Sequence, residues 1–337
     1  MNFVTQIGTE PAILGGGRPS GRPGPHQLKK PEVTVTTSDG IELAVRDYRP
    51  QSISHTVVLL HGLCVSDAVW LRQIDYLNRL HGKNIRVISY DHRGHGRSSC
   101  ASADTYHIDQ LASDLADVLT ALNVSDPLTV VGHSMGGMTA LAYLARSSAD
   151  RPVDPQGLVL AATTAGRLVQ QGLGRLLATP GAGALLTLLG HLPKQALDAL
   201  AGPVCSTLSR IWPAQRTMLT TVRSRIASAP VPTAAGFLPT LRSYDQYEIL
   251  DGIRANTVIV SGGTDPLTPA SHSEELASAI PGAEHMHLPH AGHMLPREAP
   301  DVINQAIRRA MHPQDTEPLA NGGQDICTST TGLRIGA

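Results

Sequence analysis

The sequence predicts an α/β fold with a mostly parallel central sheet, helices on both faces and a helical insertion over one end. Three observations predict it. From about residue 55 onward, short β-rich runs alternate with helical patterns of about 10–15 residues, the rhythm of a parallel sheet. The run at residues 55–60, His-Thr-Val-Val-Leu-Leu, is nearly continuously apolar, as a strand buried on both faces must be. The alternation breaks once, over residues 163–247, where leucine- and alanine-rich segments are punctuated by prolines.

In order along the chain, residues 33–37 and 41–48 are β-rich and flank Ser38-Asp39-Gly40, which predicts an antiparallel hairpin at one edge of the sheet. After the strand at 55–60 comes a helix over 67–80, with apolar positions Val69, Trp70, Ile74, Leu77 and Leu80. A strand at 85–90, a helix at 108–122, a strand at 128–131, a helix at 134–147 and a strand at 157–161 follow. Beyond the interruption lie a strand at 257–260, a helix at 270–280, a strand at 285–288 and a last helix at 301–311. The interruption carries helical segments at 168–177, 184–192, 195–200 and 215–226, between Pro180, Pro193, Pro203, Pro213, Pro230 and Pro232. An unstructured loop of that length is improbable in a compact domain, so it reads as a helical lid. The organisation expected is an α/β core at 32–162 and 248–312, a lid at 163–247, and weakly ordered Gly/Pro-rich tails at 1–31 and 313–337.

Composition narrows the function. The chain has 337 residues with 27 Lys+Arg against 28 Asp+Glu, so a net charge of -1 gives no electrostatic reason for a nucleic-acid partner. At 41% hydrophobic and 16% charged it is globular, and with 3% aromatics its core is aliphatic. The cysteines, Cys64, Cys100, Cys205 and Cys327, show no CxxC or metal-finger spacing and point to free thiols in a reducing compartment. The first 30 residues lack the apolar run of a secretory signal, and the longest apolar stretch, 172–192, is broken by Arg175, Pro180 and glycines. The expectation is a cytoplasmic protein without stable membrane insertion. Nothing in the sequence speaks to its oligomeric state.

The chemistry lies at the strand ends. Gly132-His133-Ser134-Met135-Gly136 fits G-x-S-x-G and stands between a strand and a helix, where a sharp turn presents Ser134 as a nucleophile beside a helix N-terminus. His61-Gly62-Leu63 follows the strand at 55–60. A backbone N–H there, from Leu63, and the N–H of Met135 are the expected donors to an oxyanion. Asp265 follows the strand at 257–260 and His293 the strand at 285–288, so both reach the edge that carries Ser134. The order Ser, Asp, His gives His293 the role of base and Asp265 that of holding its tautomer. Singly, Asp265 is also readable as a turn aspartate before Pro266, and His293 as one of 15 histidines. The remaining histidines have simpler readings: His133 as packing, His92 and His95 as parts of a Gly-rich loop, and His285, His287 and His290 as unevenly spaced with no carboxylate cluster beside them. No metal or other cofactor is expected.

Together, His61-Gly62, the run Asp91-His-Arg-Gly-His-Gly-Arg-Ser98, Gly132-His-Ser-Met-Gly-Gly137, Gly263-Thr-Asp265-Pro266 and Ala291-Gly-His293 resemble the serine-nucleophile α/β-hydrolase superfamily over about residues 32–312. The similarity is greatest to bacterial esterases, monoacylglycerol-lipase-like enzymes and cofactor-free peroxidase-like hydrolases, and least in the lid. It implies Ser134 as nucleophile, Asp265 as acid, His293 as base and Leu63 and Met135 as oxyanion donors, with Asp91, Arg93 and Gly94 structural. Ala162-Thr163-Thr164 excludes the family's alternative acid after the preceding strand, and Cys64 stands where peroxidase-like relatives carry a proline. The expected function is hydrolysis of a small-molecule carboxylic ester, or of a thioester. Peroxidase-like chemistry and non-catalytic ligand binding are the alternatives. Leu168, Leu173, Leu176, Leu177, Leu185, Leu186, Leu188, Leu189, Leu192, Leu197 and Leu200 point to an apolar substrate, if some of them face the pocket.

Overall fold

A computed structural model describes residues 4–6, 32–80, 84–125, 127–170, 210, 231–312 and 327–330. Ten strands form one sheet: β1 (Val4–Gln6), β2 (Glu32–Thr36), β3 (Glu42–Tyr48), β4 (His55–Leu60), β5 (Ile85–Tyr90), β6 (Leu128–His133), β7 (Gly157–Ala161), β8 (Asn256–Gly262), β9 (Glu284–Leu288) and β10 (Cys327–Thr330). Their spatial order is β1-β2-β3-β5-β4-β6-β7-β8-β9-β10. From β5 to β9 every neighbouring pair is parallel. β1, β2 and β3 at one side and β10 at the other are antiparallel. The architecture is therefore the α/β fold expected, with two differences at its edges. The tails were expected to be weakly ordered, yet Val4–Gln6 pairs with β2 and Cys327–Thr330 with β9. The hairpin of β2 and β3 is consequently covered by β1 and is not the edge of the sheet.

The side chains of the parallel strands alternate between two cores, as a pleated strand requires. Val58 and Leu60 of β4 join one apolar cluster, and Val57 and Leu59 the other. The first core is covered by α2 (Ile108–Ala121), α3 (Met135–Ala145), α4 (Val231–Ser243) and α5 (Ala270–Ala279), through residues such as Leu115, Leu141, Phe237 and Leu276. The second is covered by α1 (Leu71–Leu80), the single turn α6 (Leu295–Glu298) and α7 (Pro300–Met311), through Ile74, Leu77, Ile303 and Ile307. Two bidentate arginines brace this frame. Arg93 joins Asp39 in the hairpin turn to Asp114 on α2, and Arg86 pairs with Asp47 of β3.

Of the expected lid, the described part is residues 163–170, which end in a short 3-10 turn at Leu168–Gln170, the isolated residue 210, and α4 with the chain that follows it. The helical segments expected at 184–192, 195–200 and 215–226, and most of the one at 168–177, lie outside the described residues. α4 is a helix where the sequence shows Pro232 and Pro239. Burial explains it: Phe237, Leu238 and Leu241 are all buried, and Pro232 stands at the second helical position, where its missing N–H has no intrahelical partner to lose.

Candidate active site

The parallel strands β4 to β9 end at one edge, and the segments that follow them build the site. β6 turns directly into α3 at Ser134, whose φ of 53° and ψ of -120° lie outside the ordinary regions for an L residue. Four hydrogen bonds hold this conformation. The Ser134 N–H donates to the Ala161 carbonyl at 3.0 Å, and its own carbonyl accepts from the N–H groups of Gly137 and Met138 and from Thr163 Oγ1 at 2.7 Å. The glycines are there because the helix presses against the sheet. A Cβ at Gly136 would land on the carbonyl of Leu60, and one at Gly137 would meet the Thr163 side chain at 2.6 Å.

Asp265 follows β8 and His293 follows β9, and the fold brings both to Ser134. His293 Nε2 lies 3.0 Å from Ser134 Oγ, and His293 Nδ1 lies 2.7 Å from Asp265 Oδ2. The far oxygen of Asp265 accepts from the N–H groups of Leu267 (2.8 Å) and Thr268 (3.1 Å), while the near one also accepts from Thr268 Oγ1 at 2.7 Å. Burial raises the affinity of this carboxyl for a proton. The bonds from His293 and Thr268 outweigh burial, and Asp265 is held below its ordinary value. It is thus a carboxylate fully committed to acceptor work, and the proton on Nδ1 leaves Nε2 free to face the serine hydroxyl.

Leu63 and Met135 both border the cavity in front of Ser134. Met135 opens α3, so its N–H has no intrahelical acceptor. The loop that carries Leu63 is pinned from beneath by the Gly-rich segment after β5. The Cys64 N–H donates to His95 Nε2 at 3.3 Å, the Asp67 N–H donates to Asp91 Oδ1 at 2.8 Å, and His92 bonds both the ring and the carbonyl of His61. What these residues support is this loop. The cavity is about 340 Å³ and is walled by Leu63, Val65, Met135, Met138, Leu168, Leu241, Leu267 and Met294. Apart from Ser134, its polar lining is confined to Cys64, His133, Thr268 and His293, so among the described residues no carboxylate, lysine or arginine faces it. Burial pushes the Cys64 thiol up to about 11, so it stays protonated at neutral pH. Among the described residues, no group of three or more His, Cys, Asp or Glu could hold a metal ion, and no helix is long and apolar enough to cross a membrane.

Sequence reasoning missed three contributors. Thr163, and Glu298, whose carboxylate accepts the N–H groups of Gly292 and Met294 on either side of His293, carry no signal readable in a single chain. Thr268, three residues after Asp265, has the spacing of a side-chain-capped turn and could have been found. His133, read as packing, does pack: it is buried with its ring edge-on to Trp70. It also makes a hydrogen bond to the main chain of His293.

The profile of the alpha/beta hydrolase fold family matches residues 55–300. A protein of Pantoea ananatis bearing the name "Putative carbamate hydrolase RutD" is 28% identical over 274 residues, spanning 78% of this chain and 92% of the relative. An esterase from Thermogutta terrifontis superposes with a TM-score of 0.61 at 26% identity, over 82% of this chain and 97% of that one. An enol-lactonase from Burkholderia xenovorans superposes with a TM-score of 0.64 at 24% identity, over 82% and 99%, a likeness of fold.

Proposed function

We propose that the chain, which belongs to the alpha/beta hydrolase fold family, is a serine hydrolase that cleaves a carboxylic ester with an apolar acyl group through an acyl-serine intermediate. The observation that carries this reading is the unbroken line from Ser134 Oγ through His293 to Asp265, at 3.0 and 2.7 Å, opening on an apolar cavity. As Ser134 Oγ attacks the ester carbonyl, His293 Nε2 takes its proton and the carbonyl oxygen becomes an oxyanion facing the N–H groups of Leu63 and Met135. Asp265 stabilises the imidazolium that results. Collapse of the tetrahedral intermediate expels the alcohol, which receives that proton, and leaves the acyl group on Ser134. Water then repeats the sequence with His293 again as base, releasing the acid and restoring Ser134.

The walls favour the substrate class. With no charged side chain among the described lining residues, the cavity rewards an uncharged acyl chain, and each buried CH₂ adds ~0.8 kcal/mol, or about fourfold in affinity. The relative named as a carbamate hydrolase points to a neighbouring substrate, since a carbamate carbonyl takes the same attack. The esterase neighbour and the apolar lining support the ester.

A p-nitrophenyl ester series from acetate to decanoate, with a p-nitrophenyl carbamate alongside, tests the reading on wild type and Ser134→Ala. The kcat/KM should climb from acetate to medium-chain esters and fall once the cavity is full. Ser134→Ala should lose a factor of about 10⁴–10⁶ in kcat while remaining folded. A folded Ser134→Ala variant with more than about a tenth of wild-type activity overturns the serine mechanism. A monotonic fall from acetate, or a preference for the carbamate, overturns the substrate class.

A further inference from the structure

We propose that His133 is a positioning residue that ties the nucleophile turn to the loop of the base, so that Ser134 and His293 keep one spacing. The inference rests on the serine-hydrolase reading above. His133 immediately precedes Ser134 in the chain, and its Nε2 lies 2.8 Å from the main-chain carbonyl oxygen of His293. A carbonyl only accepts, so Nε2 carries the proton and Nδ1 is bare. Among the described residues Nδ1 has no hydrogen-bond partner, and it faces Gly62, where a Cβ would come within 3.1 Å of it. The ring is therefore neutral and fixed in one tautomer. Burial and the neighbouring His293 keep it so, holding its pKa down at about 3. Neutrality has a consequence at the site. The two imidazole centroids are 5.0 Å apart, and a charged His133 would oppose the imidazolium that His293 must become.

His293 itself sits in a loop between β9 and α6, outside any ladder of backbone bonds. Its main chain is gripped from two sides. Glu298 accepts the N–H of Gly292 at 2.6 Å through one oxygen and that of Met294 at 3.1 Å through the other. His133 takes the carbonyl between them. Glu298 anchors this loop to α6 on its own side, whereas the His133 bond crosses from the base to the nucleophile. Remove it and the His293 peptide is free to turn, and the ring with it. A displacement of about 1 Å at a reacting pair is enough to lose ~10²-fold in rate.

The test compares three variants of the full chain. In His133→Gln the side-chain amide N–H reaches the place of Nε2; in His133→Asn it falls short; His133→Phe fills the space and donates nothing. With a p-nitrophenyl ester, we expect Phe and Asn to lower kcat by about 10–100-fold with KM within about twofold, and Gln to recover most of that loss. The second readout is the far-downfield proton resonance of His293 Nδ1–H bonded to Asp265, visible whether or not any ester is turned over. It should persist in wild type and His133→Gln and broaden away in His133→Asn and His133→Phe. If His133→Phe fails to fold, the Gln and Asn pair decides alone. Equal behaviour of Gln and Asn, or a downfield resonance unchanged in Asn, overturns the proposal. A wild type that shows the resonance but hydrolyses no ester overturns the functional reading instead, with the resonance series still deciding the positioning role.

Discussion

Ser134 holds a backbone conformation that costs about 1–3 kcal/mol in an L residue, and keeps it because four hydrogen bonds leave it no alternative. The arrangement exposes the hydroxyl above a turn too sharp for any other placement. Asp265 is committed in the same way. One of its oxygens accepts two N–H groups, and the other accepts the Thr268 hydroxyl and the His293 Nδ1–H. Asp265→Asn cannot satisfy this set, because whichever end carries the amide NH₂ confronts donors. Turning the amide nitrogen toward Nδ1 would also force the proton of His293 to Nε2, the wrong tautomer for a base. The expected loss is about 10⁴-fold in kcat, on the scale seen when such a tautomer is disturbed. Steady-state kinetics on a purified, folded Asp265→Asn protein measures it, and a loss smaller than about tenfold would remove Asp265 from the catalytic unit.

At the scale of elements, the site depends on how closely α3 approaches the sheet. Gly136 is where the contact is tightest: its missing Cβ would overlap the carbonyl of Leu60, one residue before the loop of Leu63. Gly136→Ala should therefore push the helix off β4 and disturb the nucleophile and the oxyanion loop together. Overpacking of this kind costs about 1–3 kcal/mol, readable as a lower midpoint in urea unfolding, with activity falling further than stability alone explains. A variant with wild-type midpoint and activity would show that the helix yields freely. The same elements explain what the sequence revealed. β4, β6 and α3 were legible because burial on both faces writes an apolar run, and because the turn between β6 and α3 demands glycines at fixed places. α4 was hidden by its prolines, although Phe237 and Leu241 are four residues apart and buried on one side. The strand at Val4–Gln6 was hidden because pairing with β2 across a long separation is a tertiary event that three residues cannot announce. Ser134, Asp265 and His293 were visible as residue types after strands. The grip of His133 and Glu298 on His293 was not, since a bond to a main-chain carbonyl or N–H asks nothing of the partner's side chain.

Over the whole molecule, the unusual feature is the number of neutral histidines sealed around the site. His92, His95 and His133 are all buried, and each uses one ring nitrogen as a donor to a backbone carbonyl: those of His61, Arg93 and His293. Burial holds His92 well below the ordinary imidazole value, with His61 and His95 beside it adding to the effect. It holds His95 at about 3, with His61 adding, and His133 at about 3, with His293 adding. In the unfolded chain all three would titrate near ~6.5. Between that value and their folded ones, the unfolded state binds protons that the native state refuses, so stability falls as pH falls through this window. Each proton so taken up is worth up to ~1.4 kcal/mol per pH unit. Asp67, raised to about 6 by burial and by the carboxylate of Asp91, works the other way over the same range, as does Asp114, raised by burial. Burial also lowers His272 and His285, however, so the lowered histidines outnumber the raised carboxyls. The protein should therefore lose stability from about pH 6.5 downward, well before its surface carboxylates titrate. Urea unfolding at pH 7.5, 6.0 and 5.0 measures this directly, since the slope of ΔG against pH counts the protons. A net uptake of protons on unfolding at pH 5 is expected. His95→Gln, which keeps an acceptor for the Cys64 N–H and cannot titrate, should reduce that count by about one. Stability flat between pH 7.5 and 5 would mean that these rings are protonated in the folded state, and that the loop carrying Leu63 is held by something other than neutral imidazole.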